Sequence, residues 1–151
     1  MRAAFAGLVV VLSSCAGPVA QGPPELHLGI DICDGCGMAI SDARYAAASA
    51  SRADGERRVL RFDDIGCLAR WQAQGSDPQP EELWVRDRHS EVWVAVSGAV
   101  FLRSGDWDTP MGSGLAAFAD PGRSSSHEAM RWDAVVLLAR RGELDRPLEA
   151  R

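Results

Sequence analysis

The chain predicts an α+β protein built as two homologous β-β-α-type units on small antiparallel sheets, related by an internal repeat. Three observations predict it. Residues 61–70 (RFDDIGCLAR) lie over residues 131–140 (RWDAVVLLAR) at a constant offset of 70, with five identities, and the same ungapped offset sets Tyr45-Ala46-Ala47 on Leu115-Ala116-Ala117. An Asp-Gly pair, Asp54-Gly55, separates two short strand-like runs and is a strong hairpin signal. An acidic residue then precedes a helically spaced apolar series. Two copies at so long a period exclude a solenoid.

Taken in order, residues 45–51 and 57–62 are the hairpin strands of the first unit. Asp63 or Asp64 caps a helix whose inner face is Ile65, Leu68, Ala69 and Trp71, and Gly75 ends it. Residues 83–86, 93–96 and 100–102 are rich in Trp, Val and Phe and predict further strands. In the second unit residues 115–119 and roughly 128–132 replace the two strands, Asp120-Pro121-Gly122 marks the turn, and Asp133 caps a helix ending before Gly142. The units span residues 30–90 and 91–144, and a charged tail without period occupies 145–151.

Composition bounds the function. Of 151 residues 46% are hydrophobic and 25% charged, the profile of a folded chain. All 16 basic groups are Arg, 21 acidic groups oppose them for a net charge of −5, and no basic stripe occurs; general nucleic-acid binding is excluded on that ground.

The N-terminus differs from the rest. Met1-Arg2, an apolar run over residues 3–12 and the sequence Leu12-Ser13-Ser14-Cys15 have the layout of a secretory signal, residues 1–14, ending in a lipobox. The run is shorter than the roughly 20 residues of a transmembrane helix. Lipidation at Cys15 places the mature chain outside the cytoplasm, periplasmic or otherwise extracytoplasmic, and anchors it to a membrane; an ordinary cleaved signal is the other reading. Residues 15–29, rich in Pro and small residues, form a tether.

The chemistry precedes the first unit. Cys33 and Cys36 form a C-x-x-C pair followed closely by Met38 on a Gly-rich loop. Thiolate and thioether are soft donors that select Cu(I) over hard cations, and a thioether turns the reading from zinc toward copper. Met111 lies on a second Gly-rich loop, residues 109–114, and the offset aligns it with Ser41, three residues from Met38. Packing about a pseudo-two-fold axis brings both sulfur-bearing loops to one end, with copper between the halves. Other uses of the residues stay open: a Cys33–Cys36 disulfide, a dithiol for disulfide exchange, or a structural zinc site. Cys67, aligned with Leu137, is expected as a small buried core residue, with a redox or metal role as the lesser reading, and Met130 as packing. Asp63-Asp64 is explained by capping without a substrate. His27, His89 and His127 occupy polar surroundings; His89 or His127 completes a Cys/Met site if the fold brings it near.

With these residues on view, the set of lipobox, C-D-G-C-G-M-A-I, F-D-D-I-G-C and T-P-M-G-S-G-L followed by A-F resembles the NosL family, lipoproteins encoded with nitrous oxide reductase. The resemblance covers residues 31 to about 141. It implies a Cu(I)-binding chaperone outside the cytoplasm, not an enzyme, that delivers copper for the catalytic copper–sulfide centre of that reductase. It also implies two homologous β-β-α domains. Cys36 and Met38 match the family's Cys-Gly-Met element, Met111 its second Met motif, and Cys33 the outer Cys.

Overall fold

The structure, a computed structural model, describes residues 22–76, 79–120, 128–146 and 148. Strands β1 (Ala47–Ala53) and β2 (Glu56–Phe62) pair antiparallel from Ala47↔Phe62 to Ala53↔Glu56. Asp54 and Gly55 turn the chain between them with φ of 53° and 82°, the left-handed pair that a two-residue hairpin requires. Strand β3 (Glu82–Arg86) joins the other edge of β1 and β4 (Trp93–Ala95) extends it, giving the order β2-β1-β3-β4. The central β1 is rich in alanine because both its faces are covered. Ala47 enters the main core, while Ala48 and Ala50 on the opposite face pack with Trp84, Val59 and Trp93.

Helix α1 (Ile65–Ala73) follows β2 directly, capped by Asp64 as its acidic start predicts. Helix α2 (Trp132–Arg140) packs against α1, and its Trp132 Nε1 donates to Gln72 Oε1 at 2.6 Å. Strands β5 (Val100–Arg103) and β6 (Leu115–Phe118) form a second, two-stranded sheet. The architecture is therefore α+β with small antiparallel sheets. One apolar cluster, including Ile40, Phe62, Leu68, Val85, Phe101, Leu115, Val135 and Leu144, draws on both halves of the sequence. No helix among the described residues is long and apolar enough to cross a membrane.

Strand pairing in the second half differs from the expected copy of the first. β6 pairs with β5, and the segment expected to be its partner contributes a single bridge, Met130 to Phe101 on β5. The reason is burial. Val100, Phe101 and Leu102 are all nearly inaccessible, so β5 needs cover on both faces and takes the central place, whereas Glu128, Ala129 and Arg131 offer little to bury. The helices begin at Ile65 and Trp132, 67 residues apart instead of 70. Asp133 is accordingly not the cap: Arg131 holds that position without a side-chain bond, and Asp133 sits in the first turn, where the helix dipole favours an acid.

The body also starts before residue 30. Leu26 packs on the core, Gly29 N–H donates to Ile40 O at 2.8 Å, Arg61 Nε donates to Glu25 O at 3.2 Å, and the Arg57 guanidinium donates to Gly22 O. The signal, Cys15, the Pro-Gly turn at 121–122 and His127 lie outside the described residues.

Candidate metal centre

The cysteine loop is a short hairpin. Ile40 N–H donates to Asp31 O, Cys33 N–H to Met38 O and Gly37 N–H to Cys33 O, all at 2.8–2.9 Å. Its tip is fastened to β2 by a reciprocal pair: Asp34 N–H donates to Arg61 O at 2.8 Å, and Arg61 N–H to Asp34 Oδ2 at 2.7 Å. Gly35 lies flat against α1, where a Cβ would meet Cys67 Cβ at 3.2 Å and Phe62 Cδ1 at 3.3 Å. That close approach presses the loop onto the first turn of the helix.

The result is a cluster of three cysteines. The Sγ atoms of Cys33, Cys36 and Cys67 all lie within 4.8 Å of one another, and all three thiols are free. Cys33 and Cys67 are buried and Cys36 is half-buried. A hydrogen bond from Cys67, helped by backbone N–H groups, holds Cys33 well below the ordinary thiol range, at about 5, against the effect of burial. Cys67 is pushed up in turn, by donating that bond and by burial, and burial also raises Cys36. A metal that takes these sulfurs as thiolates displaces the protons the cluster still carries.

A cleft of about 540 Å³ opens onto the cluster. Cys67, Arg70 and Trp71 of α1 and its C-cap Gln74 form one wall, and Cys36 and Met111 stand on the loops facing it. Arg70 Nε donates to Asp145 Oδ1 at 2.8 Å across the rim. The methionine loop is shaped by Thr109, whose carbonyl accepts from Gly112 N–H at 2.9 Å and whose Oγ1 accepts from Gly114 N–H at 3.1 Å.

Sequence and structure meet unevenly here. Cys36 and Met111, on loops far apart in sequence, line one cleft, and Cys33 lies beside Cys36 in the cluster. Met38 does not line the cleft and is 56% exposed. Cys67 is buried as expected of a core residue, yet its sulfur completes the cluster. The signal that marks it is its place three residues after the capping Asp64, in the helical turn against which the Gly-rich loop packs. His89 packs at a tilt against Phe118 with ring centroids 5.3 Å apart, away from the cleft, and His27 faces Glu25 and Asp31. Among the described residues the clustered donors are sulfur alone.

An α+β domain with a soft-donor pocket at the junction of helix and loops is the class that fold and site define. The NosL family profile matches residues 28–131, and the chain belongs to that family. The crystal structure of the copper chaperone NosL from Shewanella denitrificans shares the fold with a TM-score of 0.55 at 19% identity, over 74% of this chain and 96% of that one. No curated relative matches the chain.

Proposed function

We propose that the protein is an extracytoplasmic copper chaperone that holds Cu(I) on Cys36 and Cys33, with Cys67 as the third sulfur and Met111 as thioether. The observation that carries this is the packing of three free cysteine sulfurs within 4.8 Å at a cleft also lined by Met111. Such a donor set suits Cu(I) and offers hard cations nothing. Nothing is turned over: copper is cargo, taken in by ligand exchange and passed to a partner with a better-matched site. The half-buried Cys36 faces the cleft and is the sulfur an incoming donor reaches first. Met38, two residues further on at the outer surface, supplies a thioether to the ion in transit.

Family membership supports the finer reading, in which the recipient is nitrous oxide reductase or its assembly machinery. The signal-like start supports anchoring through a lipid on Cys15. Cys15→Ala is then expected to release the protein into the soluble fraction; retention on the membrane contradicts the anchor.

The test is an anaerobic Cu(I) titration of the reduced chain against a chromophoric Cu(I) chelator. Competition by the wild type, lost in Cys36→Ser, supports the carrier. A wild type that never competes removes it. The C-x-x-C pair, with both thiols free and Cys36 at the cleft, favours a second reading, a thiol–disulfide exchange protein. The two separate on Met111→Ala, which weakens copper binding and leaves dithiol chemistry intact.

A further inference from the structure

Asp64 is wholly buried, and its role extends past capping. Its Oδ1 accepts the Gly66 N–H at 2.6 Å, the bond of a helix cap, and its carbonyl accepts the Cys67 N–H at 2.8 Å. Its other carboxylate oxygen, Oδ2, accepts the Met111 N–H at 3.0 Å. One residue thus fixes the backbone of both a cluster cysteine and the methionine 47 positions away. Gly66 records the same closeness independently, since a Cβ there would fall 2.6 Å from Ser113 Cβ on the methionine loop. The neighbouring Asp63, also buried, treats the other loop alike: its Oδ1 accepts the Ser41 N–H at 2.7 Å, just past the cysteine hairpin.

We infer that Asp64 is a positioning residue of the copper site, clamping the Met111 loop to the first turn of α1 so that thioether and thiolates face one ion. The inference rests on the copper reading above. A cap alone needs one acceptor oxygen; the clamp needs the second, with the reach of a carboxylate. Serine separates the two. Asp64→Ser keeps a good N-cap oxygen and is too short to hold Met111 as well.

The experiment is a double-mutant cycle on the full reduced chain, with Cu(I) affinity read by chelator competition for wild type, Asp64→Ser, Met111→Ala and the double variant. Because Asp64 acts through the thioether it positions, Asp64→Ser is expected to cost up to the roughly tenfold in affinity that removing the thioether costs. In the Met111→Ala background the same substitution is expected to cost nothing further, because the thioether it positions is gone. Losses that multiply, or an Asp64→Ser protein that binds copper like the wild type, overturn the inference. Amide hydrogen exchange supplies a readout without metal: protection of Met111 is expected to fall in Asp64→Ser while that of Cys33 and Gly37 persists. Unchanged Met111 protection overturns the clamp even if no variant binds copper, whereas absent binding in the wild type strikes the copper reading alone. Should Asp64→Ser not fold, Asp64→Asn, which keeps the length but has one oxygen for two donors, is expected to show the same pattern in part.

Discussion

The two sulfur-bearing loops reach the same cleft by different means. The cysteine loop is closed by its own hairpin bonds and fastened to the adjacent β2 by Asp34 and Arg61, so its shape is local. The methionine loop is shaped by Thr109 but placed by Asp64, a residue of the other half of the chain. The thiolate half of the site is therefore preformed, and the thioether half depends on long-range packing.

Breaking the preformed loop has the largest expected effect. Cys36→Ser removes a thiol from the cluster, and its loss of Cu(I) affinity is expected to exceed the roughly 100-fold upper bound for outer partners. Chelator competition measures it. Gly66→Ala strikes the junction of the two loops: the new methyl meets Ser113 Cβ at 2.6 Å, and overpacking of that kind costs about 1–3 kcal/mol, read as a lower unfolding midpoint in urea. Met111→Ala is milder. It is expected to reduce affinity by roughly tenfold, as for a contributing but not sole donor, with little change in stability because Met111 is only part-buried.

A third carboxylate sharpens the comparison, because it also joins the halves but lies away from the sulfur. Asp87, buried at the end of β3, accepts N–H bonds from Ala119 of the second half at 2.7 Å and from Ser90 at 2.8 Å. Burial acts to raise its pKa, but these donors outweigh it and hold the group at about 2, against an ordinary 3.8. A carboxylate depressed in the folded state stabilises the fold above its unfolded value and loses that contribution as pH falls. About 2 kcal/mol is expected to disappear between pH of about 4 and about 2. Urea unfolding across that window is expected to show this slope in the wild type and not in Asp87→Asn, whose copper affinity at neutral pH stays unchanged.

What was legible in the sequence follows the same division between local and long-range. The β1–β2 hairpin, the start of α1 and its acidic cap are read from neighbouring residues, Asp54-Gly55 and Asp64 above all, and the structure bears them out. The second half was harder, since pairing β6 with β5 instead of residues 128–132 depends on which strand needs covering on both faces. The repeat register gave way for the same reason: identities at 70 residues do not follow the helices, whose starts are 67 apart. Cys67 escaped because alignment with Leu137 made it a core residue, and burial and sulfur clustering are compatible roles for one small side chain. Met38 stands outside the cleft because the hairpin closes between its carbonyl and Cys33 N–H, a pairing that spacing alone does not orient.

In the proposed carrier, copper sits on sulfur from both loops. Copper K-edge X-ray absorption on the anaerobically Cu(I)-loaded chain tests it most directly, with Met111→Ala run beside the wild type. A coordination shell of sulfur alone is expected, losing one scatterer in the variant. A shell containing nitrogen or oxygen, or one that Met111→Ala leaves untouched, would contradict it.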